Sequence, residues 1–217
     1  MAALLSGCSE AGNSAVTGTV TSGTIETGIL MDARDGHVYR TTHIGTQWWM
    51  AQNLDFNTLD GTGGRCYDDS AASCESYGRL YTWNAAMALP DSFQTRAWKG
   101  SFPHRGICPE GWHVPSDLEW HVLLSFLDSA TAATELRSSG TWRYLSGEAD
   151  PVEFAALPAG DINNGISERI GYCTDFWSSS SGTLKATSVG FCNGDKAAFK
   201  SQYSKNYAYS LRCVRDP

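Results

Sequence analysis

The chain has 217 residues, with 16 Lys and Arg against 23 Asp and Glu, for a net charge of −7. Its 12% aromatic content excludes a disordered chain, because that much apolar surface drives burial. The acidic balance excludes a duplex-DNA binder, which needs clustered cations, and no run of about 18 apolar residues offers a membrane-spanning helix.

In chain order, Leu4-Leu5-Ser6-Gly7-Cys8 comes first and resembles a bacterial lipobox. Small residues before the cysteine suit a signal peptidase, and the cysteine then takes a lipid. Only a short stretch precedes Cys8, without a basic region or a full apolar region, so residues 1–8 read as the remnant of a longer signal. The alternative reading is a free thiol in a polar tail. Residues 9–27 are small and polar, as a flexible tether requires, and the domain proper spans 28–217. Setting Cys8 aside leaves Cys66, Cys74, Cys108, Cys173, Cys192 and Cys213. They contain no Cys-x-x-Cys, so a zinc or thioredoxin-type site has no support. Three disulfides and an oxidising compartment are expected, with every pairing open.

Asp35-Gly36 and Gly45-Thr46 separate three β-rich runs and predict a three-stranded meander over 28–51. Residues 55–78 read as loop, and 79–89 as a short helix stopped by Pro90. Ser116-Asp117-Leu118-Glu119 is a capping box. It opens a helix over 117–128, with Leu118, Val122, Leu123, Phe126 and Leu127 as its apolar face. A second helical stretch covers 131–138. Short strands are expected at 176–181, 188–192, 197–199 and 209–215. Strands at both ends with helices between them imply an α+β fold.

Several blocks are distinctive together. They are Ile44-Gly45-x-Gln47-x-Trp49-Met50-Ala51-x-Asn53-Leu54, Gly78-Arg79-Leu80-Tyr81-x-Trp83 and Cys108-Pro109-x-Gly111-Trp112-His113-Val114-Pro115-Ser116-x-x-Glu119-Trp120. Leu157-Pro158-Ala159-Gly160, Phe176-Trp177-Ser178 and Ser210-x-Arg212-Cys213-Val214-Arg215-Asp216 complete the set. In this order they resemble the Fibrobacter succinogenes major paralogous domain family. That family is similar to the C-type-lectin-like fold, near the formylglycine-generating-enzyme branch. The resemblance implies paired terminal strands, two packed helices and a second small antiparallel sheet with long loops. It also implies a Cys108–Cys213 disulfide, after which Cys66–Cys74 and Cys173–Cys192 follow as local pairs.

Catalysis finds little footing. His37, His43, His104, His113 and His121 are scattered, with no His-Glu-x-x-His and no Gly-x-Ser-x-Gly. His113 and His121 flank the capped helix start, where a structural role is expected. The formylglycine-generating branch uses cysteine redox chemistry, and no cysteine arrangement here is left over for it. Asp161-Ile162-Asn163-Asn164-Gly165 offers oxygens but lacks EF-hand spacing, so it reads as a polar turn. No cofactor or metal is expected. The mixture of Tyr, Ser, Asn and Gly after residue 176 is what adaptable binding surfaces use. Trp177, Ser179, Ser181, Asn193, Asp195, Tyr203, Asn206 and Tyr207 are its candidate contacts.

The expectation is a non-enzymatic cell-surface lipoprotein of the cell envelope, anchored through Cys8. Its C-terminal loops would present a surface to a protein or carbohydrate ligand, and nucleic acid is not a partner. The alternatives are a structural or adhesive coat lipoprotein and, third, an enzyme related to the formylglycine-generating branch.

Overall fold

The computed structural model describes residues 25–58, 63–143 and 150–217. Cys8 and the tether through residue 24 lie outside the described residues. The meander forms as its turns require: β1 (Thr27–Met31), β2 (Val38–Ile44) and β3 (Gln47–Met50) pair antiparallel. Gly45 takes a φ of +63° at the second turn, in the left-handed region that favours glycine. Period-two alternation buries Trp49 completely and leaves Trp48 half-buried on the other face. The last strand, β12 (Val214–Arg215), joins this meander and pairs antiparallel with both β3 and β5 (Trp112–His113). The first sheet therefore runs β1-β2-β3-β12-β5.

Two smaller antiparallel sheets follow, where the resemblance implied one. The three-stranded sheet runs β10-β9-β8, from β8 (Cys173–Ser181), β9 (Lys185–Cys192) and β10 (Phe199–Ser204). The four-stranded sheet runs β4-β11-β6-β7, from β4 (Tyr81–Thr82), β6 (Asp161–Asn163), β7 (Ile166–Glu168) and β11 (Ala208–Tyr209). The Asp161–Gly165 segment is the start of its hairpin. Asn164 and Gly165 both have positive φ, 49° and 82°, as a two-residue Asn-Gly turn demands.

Two local expectations need correction. The stretch 55–78 contains the helix α1 (Ala71–Tyr77), ended by Gly78, where a Cβ would sit 2.8 Å from that of Asn53. The helix expected over 79–89 shrinks to α2 (Trp83–Ala86), because Tyr81 and Thr82 are drawn into pairing with β11. Thr82 then caps α2 by accepting from the Ala85 N–H.

The capping-box helix is present as α3 (Asp117–Phe126), with both reciprocal bonds made. A shorter α4 spans Ala132–Leu136. The buried face of α3 differs from the expected one. Trp120 and Leu123 point inward together with Leu127, while Leu118 and Phe126 are 68% and 60% exposed. The large Trp120 ring decides the rotation, packing 4.6 Å from Trp49 and donating its indole N–H to the Trp177 carbonyl at 3.4 Å. Leu123 and Leu127 share that face by helical spacing.

The disulfides are Cys66–Cys74, Cys108–Cys213 and Cys173–Cys192. The third joins residues that are directly opposite across β8 and β9. The domain is thus a disulfide-stapled α+β fold, and three disulfides fit an oxidising, extracytoplasmic compartment. No helix among the described residues is long and apolar enough to cross a membrane.

Candidate functional site

Strand β8 carries the serine run Ser178–Ser181, and its pairing with β9 slips there. Trp177 faces Ser188 but Ser181 faces Ala186, so β8 advances four positions while β9 retreats two. Such a bulge bends the strand and re-aims its side chains. Ser178 and Ser180 are consumed internally. The Ser178 hydroxyl accepts from the Ser180 N–H at 3.1 Å, and the Ser180 hydroxyl accepts from the Asp117 N–H at 3.0 Å. Ser179 and Ser181 alternate with them, and both of their buried hydroxyls lack a partner. An orphaned buried hydroxyl costs about 1–3 kcal/mol, so the bulge is held at a cost by the packing around it.

Lys205 fixes what surrounds this bulge. Its backbone N–H donates to Leu184 and its carbonyl accepts from Trp83. Its ammonium donates to the Phe93 carbonyl at 3.0 Å and the Arg96 carbonyl at 2.8 Å, 4.2 Å above the Trp83 ring. The Trp83 indole in turn donates to the Ser178 carbonyl at 2.9 Å. One buried lysine therefore ties together the β8–β9 tip, the β10–β11 turn, the loop at 93–96 and the bulge. Burial pushes its pKa down. Around this anchor stand Leu184, 60% exposed, with exposed Asn206 and half-buried Tyr203 and Tyr207, whose rings lie 5.7 Å apart.

The sequence candidates divide by position. Ser179, Ser181, Tyr203, Asn206 and Tyr207 gather at this bulged end. Trp177 does not reach a ligand surface: it is fully buried, with its ring 4.5 Å from Tyr209 and its indole N–H on the Tyr81 carbonyl at 2.7 Å. Asn193 and Asp195 sit at the opposite end of the sheet, in the β9–β10 turn. There the Asp195 carboxylate accepts the Cys192 N–H at 2.7 Å and its carbonyl accepts from Arg137 at 2.8 Å. They shape that turn and do not join the others. Leu184 and Arg96 were not among the candidates. An apolar leucine in the turn Gly182-Thr183-Leu184, where turn chemistry favours polar residues, was the readable signal.

Two other polar clusters are structural. Arg169 bridges two buried carboxylates, Asp161 at 2.5 Å and Asp175 at 2.9 Å, and so ties the three-stranded sheet to the four-stranded one. Burial raises the Asp175 pKa to about 6 in spite of Arg169. His113 is held on both ring nitrogens, by Glu119 and by Asp216, each at 2.6 Å. Among the described residues no group of three or more His, Cys, Asp or Glu side chains is placed to hold a metal, and all six cysteines are in disulfides.

The model of the Fibrobacter succinogenes major domain matches residues 42–215. The chain belongs to this family. No curated protein and no solved structure matches it. Within this Fibrobacter succinogenes major domain, the distinctive blocks are framework. Trp112-His113 and Glu119-Trp120 supply the histidine clamp and the Trp49–Trp120 contact. Arg212 is fully buried between Phe154 and Phe176. It donates to Asn53 Oδ1 at 2.9 Å, to the Ala155 carbonyl at 2.7 Å and to the Phe154 carbonyl. Burial lowers its pKa to about 9. The bulged end is built on that framework and also falls inside the matched span.

Proposed function

We propose that this domain is a non-enzymatic binding module, lipid-anchored through Cys8 at the cell envelope, whose bulged sheet end contacts a protein or glycan. One observation carries the reading. On a rim locked by Lys205, the half-buried Tyr203 and Tyr207, their rings 5.7 Å apart, stand with the exposed Leu184 and Asn206. Rigid aromatics beside adaptable polar groups suit recognition at low entropic cost. The disulfide-bonded state of the six described cysteines favours this over an enzyme using thiol chemistry.

A glycan array and a cell-surface pull-down, each run with Tyr207→Ala and Lys196→Ala, test it. Lys196 lies in the turn at the far end of the sheet. Binding should weaken by roughly tenfold or more with Tyr207→Ala, the scale of a lost aromatic anchor, and be unchanged with Lys196→Ala. Equal loss in both variants, or no ligand in either assay, sinks the proposal. The Cys8 anchor is checked by the mass of the native N-terminus.

A second reading, a structural coat protein, draws on the exposed Leu118, Val122 and Phe126, which line one side of α3. Concentration-dependent self-association lost with Phe126→Ser would support it.

A further inference from the structure

The chain is acidic, but its charges are unevenly placed. Between residues 176 and 209 one carboxylate, Asp195, accompanies Lys185, Lys196, Lys200 and Lys205. Asp195 is at the far end of the sheet, and Lys200 is occupied by Asp117 at 3.0 Å. In the loop 91–105, Asp91 stands against Arg96, Lys99 and Arg105. Lys205 is fully buried, and its ammonium meets two carbonyls and a ring face. Among the described ion pairs none neutralises it. A buried charge without a counter-ion projects its field toward the nearest surface, and here that surface is the bulged end. Lys185, exposed and paired in register with Ser204, stands at one side of it. Arg96, exposed and held at its carbonyl by Lys205, stands at another.

The rest of the rim presents flat rings and small polar groups. Tyr203 and Tyr207 are half-buried with their rings 5.7 Å apart, and Asn206 beside them is exposed. A sugar ring has an apolar face for stacking and an equatorial fringe of hydroxyls, and a uronic acid adds one carboxylate. We infer that the bulged end binds an acidic glycan. A uronate carboxylate would face Arg96 and Lys185, with sugar faces on Tyr203 and Tyr207. The inference rests on the reading of this end as a binding surface, and it adds the chemistry of the ligand.

Titration calorimetry on the full chain tests it with three probes: an oligogalacturonate, a neutral oligogalactoside of equal length and a polyglutamate peptide. The oligogalacturonate should bind, and the other two should bind at least tenfold more weakly. Raising salt from about 50 to 300 mM should weaken binding by about tenfold, as screening of a surface charge pair requires. Arg96→Gln/Lys185→Gln, both exposed and checked for folding by near-ultraviolet circular dichroism, should do the same. Equal binding of the neutral sugar, with no effect of the double variant, overturns the acidic preference. The surface reading survives that outcome if Tyr207→Ala still abolishes binding and fails if it does not. Tighter binding of polyglutamate overturns the glycan class, and no binding by any probe overturns the inference entirely.

Discussion

His113 is clamped on both sides, and its protonation follows from that geometry. Burial alone would lower its pKa, but the hydrogen bonds to Glu119 and Asp216 outweigh burial and raise it. Glu119 moves the other way: burial would raise its pKa, but bonds from His113 and Ser116 lower it. The contribution of His113 to stability is therefore complete below its ordinary value of about 6.5 and fades as pH climbs through the raised value. The contribution of Glu119 is complete above its ordinary value of about 4.5 and fades as pH falls through the lowered one. The clamp is strongest between those limits. Urea titrations of wild type and His113→Gln should differ by about 2–3 kcal/mol near pH 5.5, the scale of charge-assisted bonds, and by less near pH 8.5. A pH-independent difference would show that the clamp does not titrate.

The helix α3 shows how a correct element can carry an incorrect face. Its start was readable because a capping box is local chemistry. Its inward rotation was not, because that depends on Trp120 meeting Trp49 across the fold. The consequence is measurable: Phe126→Ser should change stability by no more than about 0.5 kcal/mol, while Trp120→Ala should cost about 3–5 kcal/mol. Equal costs in chemical denaturation would restore the face expected from periodicity. The same division runs through the other elements. The meander was legible because Asp35-Gly36 and Gly45 force their turns. The β4 strand was not, because Tyr81 and Thr82 read as helical until β11 arrives from residue 208. At the candidate site, Tyr203, Asn206 and Tyr207 were legible by composition. The burial of Trp177 was not, and neither was the separation of Asn193 and Asp195 from the rest, since two ends of one hairpin look alike in sequence.

For the molecule as a whole, the three disulfides do unequal work. Cys108–Cys213 spans 105 residues of sequence and Cys66–Cys74 only 8. In the chain-entropy model the long closure is worth about 4–5 kcal/mol, and short ones are worth less. Cys108→Ala/Cys213→Ala should therefore lower the melting temperature further than Cys66→Ala/Cys74→Ala, measured by calorimetry under non-reducing conditions. The reverse order would place native-state strain above loop entropy. Beside this staple, β12 lies inside the first sheet, between β3 and the edge strand β5. That placement sets a schedule. A ribosome or an export pore delivers the chain from its N-terminal end, so β1, β2 and β3 can assemble early with an unpaired edge. That edge waits until residues 214–215 emerge to fill it. Until then nothing joins β3 to β5. The first sheet thus closes only once residues 214–215 have been delivered, so its assembly is gated by the strand that follows Cys213.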